Sequence, residues 1–177
     1  MSFDLGNLLQ QYASAHPATD QAENDFEQVA QAAPRADLAQ GVTEALRSDQ
    51  TPPFPQMVGQ LFGQGDPGQR AGMLNQLLGG VGPGLLSSLA GGALGSLGSL
   101  FGGQANQAAA ALQVTPEQAS SMTPEQVQRI AEEAQQHNPG IVERMGDFYA
   151  EHPQLVKGLG GAALALVLGR MAQGMRR

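Results

Sequence analysis

Apolar residues recur along most of the chain at the spacing of one face of an α-helix, three, four, seven and eight positions apart. The segment that holds Phe54, Met57, Val58, Leu61 and Phe62 follows this spacing over two turns. No segment alternates convincingly between apolar and polar residues with a period of two, so half-buried strands are not indicated. The pattern predicts an all-α fold, a multi-helix bundle of short helices with a glycine-rich central segment.

Prolines and capping residues indicate where these helices begin. Ser2 is predicted to cap the first helix, and Thr19 or Asp20 is predicted to cap the second, with Glu23 three residues after Asp20 as in a capping box. Two identical tetrapeptides, Thr-Pro-Glu-Gln, occupy positions 115–118 and 123–126. Each places a threonine at the cap, a proline at the first helical position and an acid beside the positive end of the helix dipole. Both tetrapeptides therefore predict a helix start.

Residues 85–103 form the core of the glycine-rich segment. Placed on a helical wheel at about 100° per residue, the leucines and Phe101 fall on one half, and the glycines and most serines fall on the other. On that second half, small residues repeat every four positions, a pattern that lets two helices approach closely. The predicted helix-packing residues are Ser87, Gly91, Gly95, Ser99 and Gly103. Three interpretations stay open: a low-complexity linker, a close-packed helix of the bundle, and a helix that inserts into or lies on a membrane.

The last helix is predicted to begin at His152-Pro153 and to run to Leu168. Its uncharged part, 158–169, is too short at about 1.5 Å per residue to cross a hydrocarbon layer of about 30 Å. It is flanked by four bases that are candidates for contact with a membrane surface, Lys157, Arg170, Arg176 and Arg177. The segment is either a buried core helix whose bases suit the dipole of its last turn, or an interfacial helix whose bases contact anionic headgroups.

Charge and composition narrow the candidate chemistry. From Ala71 to Pro116 no residue is charged, which suggests three regions: an N-terminal helical region 1–70, an uncharged segment 71–113 and a C-terminal helical region 114–177. The net charge of −7 and the single lysine argue against nucleic-acid binding, which needs a basic surface. The chain has no cysteine, so disulfides and thiolate metal sites are excluded.

The remaining side chains offer no persuasive catalytic or metal-binding pattern. The three histidines, His16, His137 and His152, are scattered along the chain, and the serines of the central segment have no positioned base. The N-terminus shows no basic stretch followed by an apolar run, so we expect no secretory signal and a cytoplasmic protein. We expect no catalytic residue, no metal and no cofactor. An enzyme that uses a carboxylate or histidine site is the least favoured alternative.

Three parts of the sequence resemble the bacterial YidB-like proteins, a family of compact helical proteins of unknown function. They are Leu74-Asn-Gln-Leu-Leu-Gly-Gly80, the stretch from Leu85 to Phe101, and residues 112–121 with their Pro-Glu-Gln helix start. Together they cover about a third of the chain, and Asn138 to Arg177 has no counterpart. The resemblance implies a helical fold, a bacterial source and no known catalysis, and it supplies no functional residues.

These observations favour a non-enzymatic protein that acts by helix–helix self-association or as a scaffold. Its expected partner is a second copy of the chain or another helical protein. The alternative is a peripheral or inserted membrane protein that uses residues 85–103 and 155–177 against an anionic surface, at the inner membrane. No nucleic-acid partner is expected.

Overall fold

The computed structural model describes residues 4–13, 19–80 and 113–174. Within these residues the protein has ten α-helices and no strand, which confirms the predicted all-α, multi-helix fold. The helices are α1 Leu5–Tyr12, α2 Ala22–Ala32, α3 Arg35–Leu46, α4 Phe54–Gln64, α5 Pro67–Gly79, α6 Pro116–Ser120, α7 Pro124–His137, α8 Ile141–Glu151, α9 Pro153–Lys157 and α10 Gly161–Gly174. The helix predicted within 85–103 lies outside the described residues.

The contacts between residues divide the chain into two compact units. Unit 1 comprises Met1–Met57 and Val142–Arg177, and unit 2 comprises Val58–Ile141. In sequence, unit 2 is therefore inserted between the two parts of unit 1. The three regions suggested in the sequence analysis divide the chain by charge and composition, whereas the two units divide it by contacts. The three regions therefore stay a prediction.

Helix α10 lies at the centre of unit 1, where it contacts α1, α2, α3 and α9. Eight of its fourteen residues are buried: Ala163, Leu164, Ala165, Val167, Leu168, Gly169, Met171 and Ala172. A helix that is apolar on most of its sides is stable only when other elements cover it. Burying each of its large aliphatic side chains stabilises the fold by about 1.5–3 kcal/mol. The basic-flanked apolar segment of the sequence thus supplies much of the core of unit 1.

Helices α3 and α8 pack side by side in unit 1. The two helices are antiparallel: Arg47, just after the end of α3, pairs with Glu143 near the start of α8, while Arg35 at the start of α3 lies 3.9 Å from Glu151 at the end of α8. Between these ion pairs, a Cβ atom added to Gly146 would lie only 3.1 Å from the carbonyl oxygen of Ala39 on α3. The two exposed ion pairs contribute at most about 1 kcal/mol each, so the close approach at the glycine determines the packing more than the charges do.

In unit 2, α5 packs against α6 and α7. Leu74 and Leu77 of α5 and Ile130 of α7 are fully buried. Gly59, near the start of the part of α4 that belongs to this unit, approaches α7 closely: an added Cβ would lie 2.9 Å from the carbonyl oxygen of Pro124. As in unit 1, a glycine occupies the point where two helix backbones come nearest.

The helix starts predicted at the two Thr-Pro-Glu-Gln tetrapeptides are confirmed. The side chains of Thr115 and Thr123 each accept a hydrogen bond from the backbone N–H of the glutamine three residues later, and the side-chain oxygen of each glutamine accepts one from the backbone N–H of that threonine. Asp66 and Gln69 form a third such capping box at α5. Local sequence alone determines these interactions, since every partner lies within three residues.

Two predicted caps at the N-terminus are wrong. Helix α1 is capped by Asp4, whose side chain accepts a hydrogen bond from the backbone N–H of Asn7, rather than by Ser2. Helix α2 begins after Gln21 without a side-chain cap, so neither Thr19 nor Asp20 caps it, and Asp20 and Glu23 form no capping box. The reason is a turn ahead of α2, in which the carbonyl of Thr19 accepts from the N–H of Ala22 and delays the helix start.

The prediction of one continuous last helix from Pro153 is also wrong. The chain forms α9 and then α10, with a break between Lys157 and Gly161. Gly160 has a φ of +85°, a left-handed backbone conformation that glycine adopts without steric cost and that ends a helix. Because a continuous helix needs negative φ at every residue, this one glycine separates the two segments.

Candidate interaction site

The predicted interaction residues are only partly within the described residues. Ser87, Gly91, Gly95, Ser99 and Gly103 lie outside them, as do Arg176 and Arg177. The residues that flank the undescribed stretch 81–112 are Gly80, at the C-terminal end of α5, and Gln113 with Val114, ahead of α6. Gly80 and Val114 each contact an asparagine side chain of unit 2.

Asn75 of α5 forms two hydrogen bonds with the backbone of Val114. Its side-chain oxygen accepts a hydrogen bond from the N–H of Val114 at 2.7 Å, and its side-chain nitrogen donates to the Val114 carbonyl at 3.3 Å. The asparagine amide thus pairs with both backbone groups of one residue, and the Val114 side chain is buried. If such a hydrogen bond is broken, the buried backbone group is left with neither a protein partner nor water. The stability lost is then larger than the net contribution of the hydrogen bond.

Asn138, just after α7, binds the backbone of Gly80 at the C-terminal end of α5. Its side-chain nitrogen donates to the Gly80 carbonyl at 3.1 Å, while its side-chain oxygen accepts from the N–H of Gly140 at 3.1 Å. Ile141 also contacts this point, since a Cβ added to Gly80 would lie 2.6 Å from its Cδ1 atom. Gly80 and Val114 are therefore both hydrogen-bonded to asparagine side chains of unit 2.

The two described bases of the predicted membrane-facing set lie beside acids of unit 1. The ammonium group of Lys157 donates a hydrogen bond to Glu27 Oε2 at 2.8 Å, and Arg170 Nη1 lies 4.0 Å from Glu44 Oε2. Both bases are about one-third exposed. Their charge is thus offset by neighbouring carboxylates, which weakens their attraction for an anionic surface. Among the described residues, no helix combines the length and hydropathy that a membrane span needs.

A shallow cleft of about 80 Å³ lies between α2 and α9 in unit 1. Phe26, Ala30 and Pro153 form its apolar wall, and the Lys157–Glu27 pair lies at its polar side. The ring of Phe26 is fully buried, so little apolar surface is open to a ligand. The charged groups of the cleft are directed at each other, which gives the cleft little capacity to bind an ion.

Two tyrosines of unit 1 have strongly perturbed acidity. Burial raises the pKa of Tyr12 above its usual range, and the hydrogen bond that its hydroxyl donates to Asp25 Oδ2 at 2.6 Å raises it further. Burial raises the pKa of Tyr149 in the same direction. Both phenols therefore stay protonated at neutral pH, and that of Tyr12 acts as a structural donor between α1 and α2.

The described histidines are bound to local backbone groups. The Nδ1 atom of His137 lies 3.0 Å from the carbonyl oxygen of Glu133, and that of His152 lies 2.9 Å from the carbonyl oxygen of Phe148, on whose ring the imidazole stacks. Within residues 4–13, 19–80 and 113–174, no three acids or histidines are grouped so that they could hold a metal ion.

Sequence reasoning did not find the two asparagines. Asn75 lies within an amphipathic helix and Asn138 at the end of another, where an asparagine is an ordinary surface or capping residue. Their partners, however, are 39 and 58 residues away in the chain.

Comparison of the chain with protein-family models, curated proteins and solved structures found no match. The resemblance to the YidB-like family therefore stays a prediction from the sequence. The candidate interaction site has to be argued from the contacts described above.

Proposed function

We propose that the protein is a non-enzymatic helical protein that associates with a second copy of itself through helix–helix contacts of residues 85–103. The observation that carries this proposal is that small residues on α10 are spaced like those of residues 85–103 and lie close to other backbone segments. Gly161, Ala165 and Gly169 repeat every four residues, as do the small residues between Ser87 and Gly103. The spacing is the same in both stretches.

On α10 this spacing brings other backbone segments into close contact. A Cβ added to Gly169 would lie 3.0 Å from the carbonyl oxygen of Tyr12, and one added to Gly161 would collide with the carbonyl of Thr19. Small residues at this spacing therefore favour close backbone packing in this chain. Residues 85–103 carry the same pattern without any charge, and six glycines cost such a helix about 5 kcal/mol relative to alanine. A packing partner would offset this cost.

The proposal is tested by measuring mass in solution with analytical ultracentrifugation over a range of concentrations. We expect a species heavier than the 18.4 kDa chain, and we expect the double variant Gly91→Leu/Gly95→Leu to shift the equilibrium toward the monomer because leucine keeps helix backbones apart. Gly174→Leu is the matched control, since a Cβ added there meets nothing within 4 Å. A wild-type protein that is monomeric at every concentration contradicts the proposal.

The membrane alternative is tested in the same preparation. If residues 85–103 and the bases of residues 155–177 contact lipid, the protein sediments with vesicles that contain phosphatidylserine, and it is released at high salt. Self-association without vesicle binding at low salt favours the proposed function over this alternative.

A further inference from the structure

We infer that Gly160 is a hinge at which α10 leaves its own chain and takes the same place in a second copy of the chain. The inference concerns α10 and goes beyond the proposed function, which concerns residues 85–103. The partner is a second copy, because the surface of α1, α2 and α3 that covers α10 in one chain is also present in the other.

Helix α10 depends on distant parts of the chain for its burial. It packs mainly against α1, α2 and α3, and only slightly against α9, the helix that precedes it. Three residues, 158–160, join it to α9. Exchange of such a segment between two copies rebuilds the contacts that it makes within one copy. The exchanged dimer and the monomer therefore differ mainly in the conformation of this link and in the entropy of association.

The backbone of the link is close to that of a continuous helix. The N–H groups of residues 158, 159 and 160 each donate to the carbonyl three residues earlier. Straightening the link moves each of these hydrogen bonds by one residue, to the carbonyl four residues earlier. Apolar residues also keep the spacing of one helix face from Leu155 through Leu159 and Ala163. Between Pro153 and Gly174, only Gly160 has a positive φ, so this residue alone has to change its backbone region.

Gly160 therefore decides between the bent and the straight link. Its left-handed conformation is free of steric cost for glycine but not for alanine, and alanine also favours a helix more than glycine does. A Cβ added to Gly160 meets nothing within 4 Å, so Gly160→Ala changes the preference of the link without disturbing any packing. We expect this variant to favour the straight link on the order of 30-fold in each chain, and an exchanged dimer contains two such links.

Engineered disulfides test whether α10 changes chains, since the protein has no cysteine of its own. In Gly41→Cys/Met171→Cys the two cysteines join α3 to α10, because a Cβ added to Gly41 would collide with the side chain of Met171. The matched control, Thr43→Cys/Gly146→Cys, joins α3 to α8, where a Cβ added to Gly146 would lie 3.2 Å from that of Thr43. Both α3 and α8 precede Gly160, so the control pair stays within one chain when α10 is exchanged.

The readout is the mass of the oxidised protein on a non-reducing gel, after incubation at low and at high protein concentration. We expect the α3–α10 pair to give a covalent dimer at high concentration, and a larger fraction of it when Gly160→Ala is added. The control pair is expected to give monomer with and without Gly160→Ala. The inference is overturned if the α3–α10 pair gives only monomer in the presence of Gly160→Ala, or if the control pair gives as much dimer.

Mass in solution decides the question if the α3–α10 pair does not fold. Gly160→Ala is then added to Gly91→Leu/Gly95→Leu, in which the contacts of residues 85–103 are expected to be disrupted. A dimer that Gly174→Ala does not produce in the same background supports the inference, since a Cβ added to Gly174 also meets nothing within 4 Å. A monomer overturns it. The proposed function fails on a different result, namely that Gly91→Leu/Gly95→Leu leaves the association of the wild type unchanged.

Discussion

Helix α10 and residues 85–103 carry the same sequence pattern in different settings. Both are uncharged over most of their length, rich in leucine and alanine, and have small residues every four positions. Helix α10 finds its partners inside unit 1, where α1, α2 and α3 cover it. The described residues that flank the central stretch, Gly80 and Val114, are bound by Asn138 and Asn75 of unit 2. On α10 the pattern accompanies close packing inside one unit; for residues 85–103, close packing against a second copy is the proposal.

The largest expected difference between the two segments concerns the leucine side chains. Leu168 of α10 is fully buried, so Leu168→Ala is expected to lower the free energy of unfolding by about 2–5 kcal/mol through lost transfer energy and a cavity. If residues 85–103 contact only a second copy, Leu89→Ala changes the unfolding of the dilute monomer by less than about 0.5 kcal/mol. Urea unfolding at low protein concentration measures both. Equal losses in the two variants would show that the central stretch belongs to the core of the monomer.

A smaller difference is expected at the glycines. Gly169→Ala places a methyl group 3.0 Å from the carbonyl oxygen of Tyr12, and the backbone shift that follows costs about 1–3 kcal/mol, partly offset by the better helix propensity of alanine. Gly174→Ala, where an added Cβ meets nothing within 4 Å, is the matched control. In the central stretch, Gly95→Ala adds helix propensity and is expected to leave the monomer as stable as before. Thermal unfolding monitored by circular dichroism distinguishes a lowered melting temperature for Gly169→Ala from an unchanged one for Gly95→Ala.

The smallest expected effect concerns the hydrogen bond that holds α1, a partner of α10. Tyr12→Phe removes the donor to Asp25 and is expected to destabilise unit 1 by about 1 kcal/mol at neutral pH. Since the pKa of Tyr12 is raised in the folded state, its contribution is fully present below the ordinary tyrosine pKa of about 10 and is lost as the pH rises further.

Tyr149 also contributes stability that is lost as the pH rises above about 10, because burial raises its pKa. Tyr12→Phe is therefore expected to reduce, but not abolish, the loss of stability at alkaline pH. Denaturant midpoints between neutral pH and pH values above 10 measure this loss. An identical alkaline loss in the variant and the wild type would show that Tyr12 does not contribute.

How well the sequence predicted each feature depended on how local its causes are. The helix starts and threonine caps at Thr115 and Thr123 were predicted, since their donors and acceptors lie within one helical turn; the return hydrogen bonds to Gln118 and Gln126 were not. The cap of α1 was misplaced by two residues, since several polar residues near the N-terminus could serve. The break at Gly160 was missed because the apolar pattern continues through it, and nothing local distinguishes a glycine with positive φ from one inside a helix.

The candidate site shows the same division more strongly. Spacing predicted the small residues of 85–103, which lie outside the described residues, and charge singled out the bases that flank residues 158–169. The carboxylates beside Lys157 and Arg170 could not, because Glu27 is 130 residues away in the chain and the pairing exists only in the folded unit. The hydrogen bonds of Asn75 to Val114 and of Asn138 to Gly80 were missed for the same reason.

By itself, the sequence determined that this protein is helical, where several of its helices begin, and which segments favour close packing, because propensity, capping and periodicity act within a few residues. The tertiary structure decided that the basic-flanked apolar helix is the centre of unit 1 and that Asn75 and Asn138 bind the backbones of Val114 and Gly80. Those features depend on which distant residues meet, since burial and hydrogen bonding between separate segments exist only after the chain has folded.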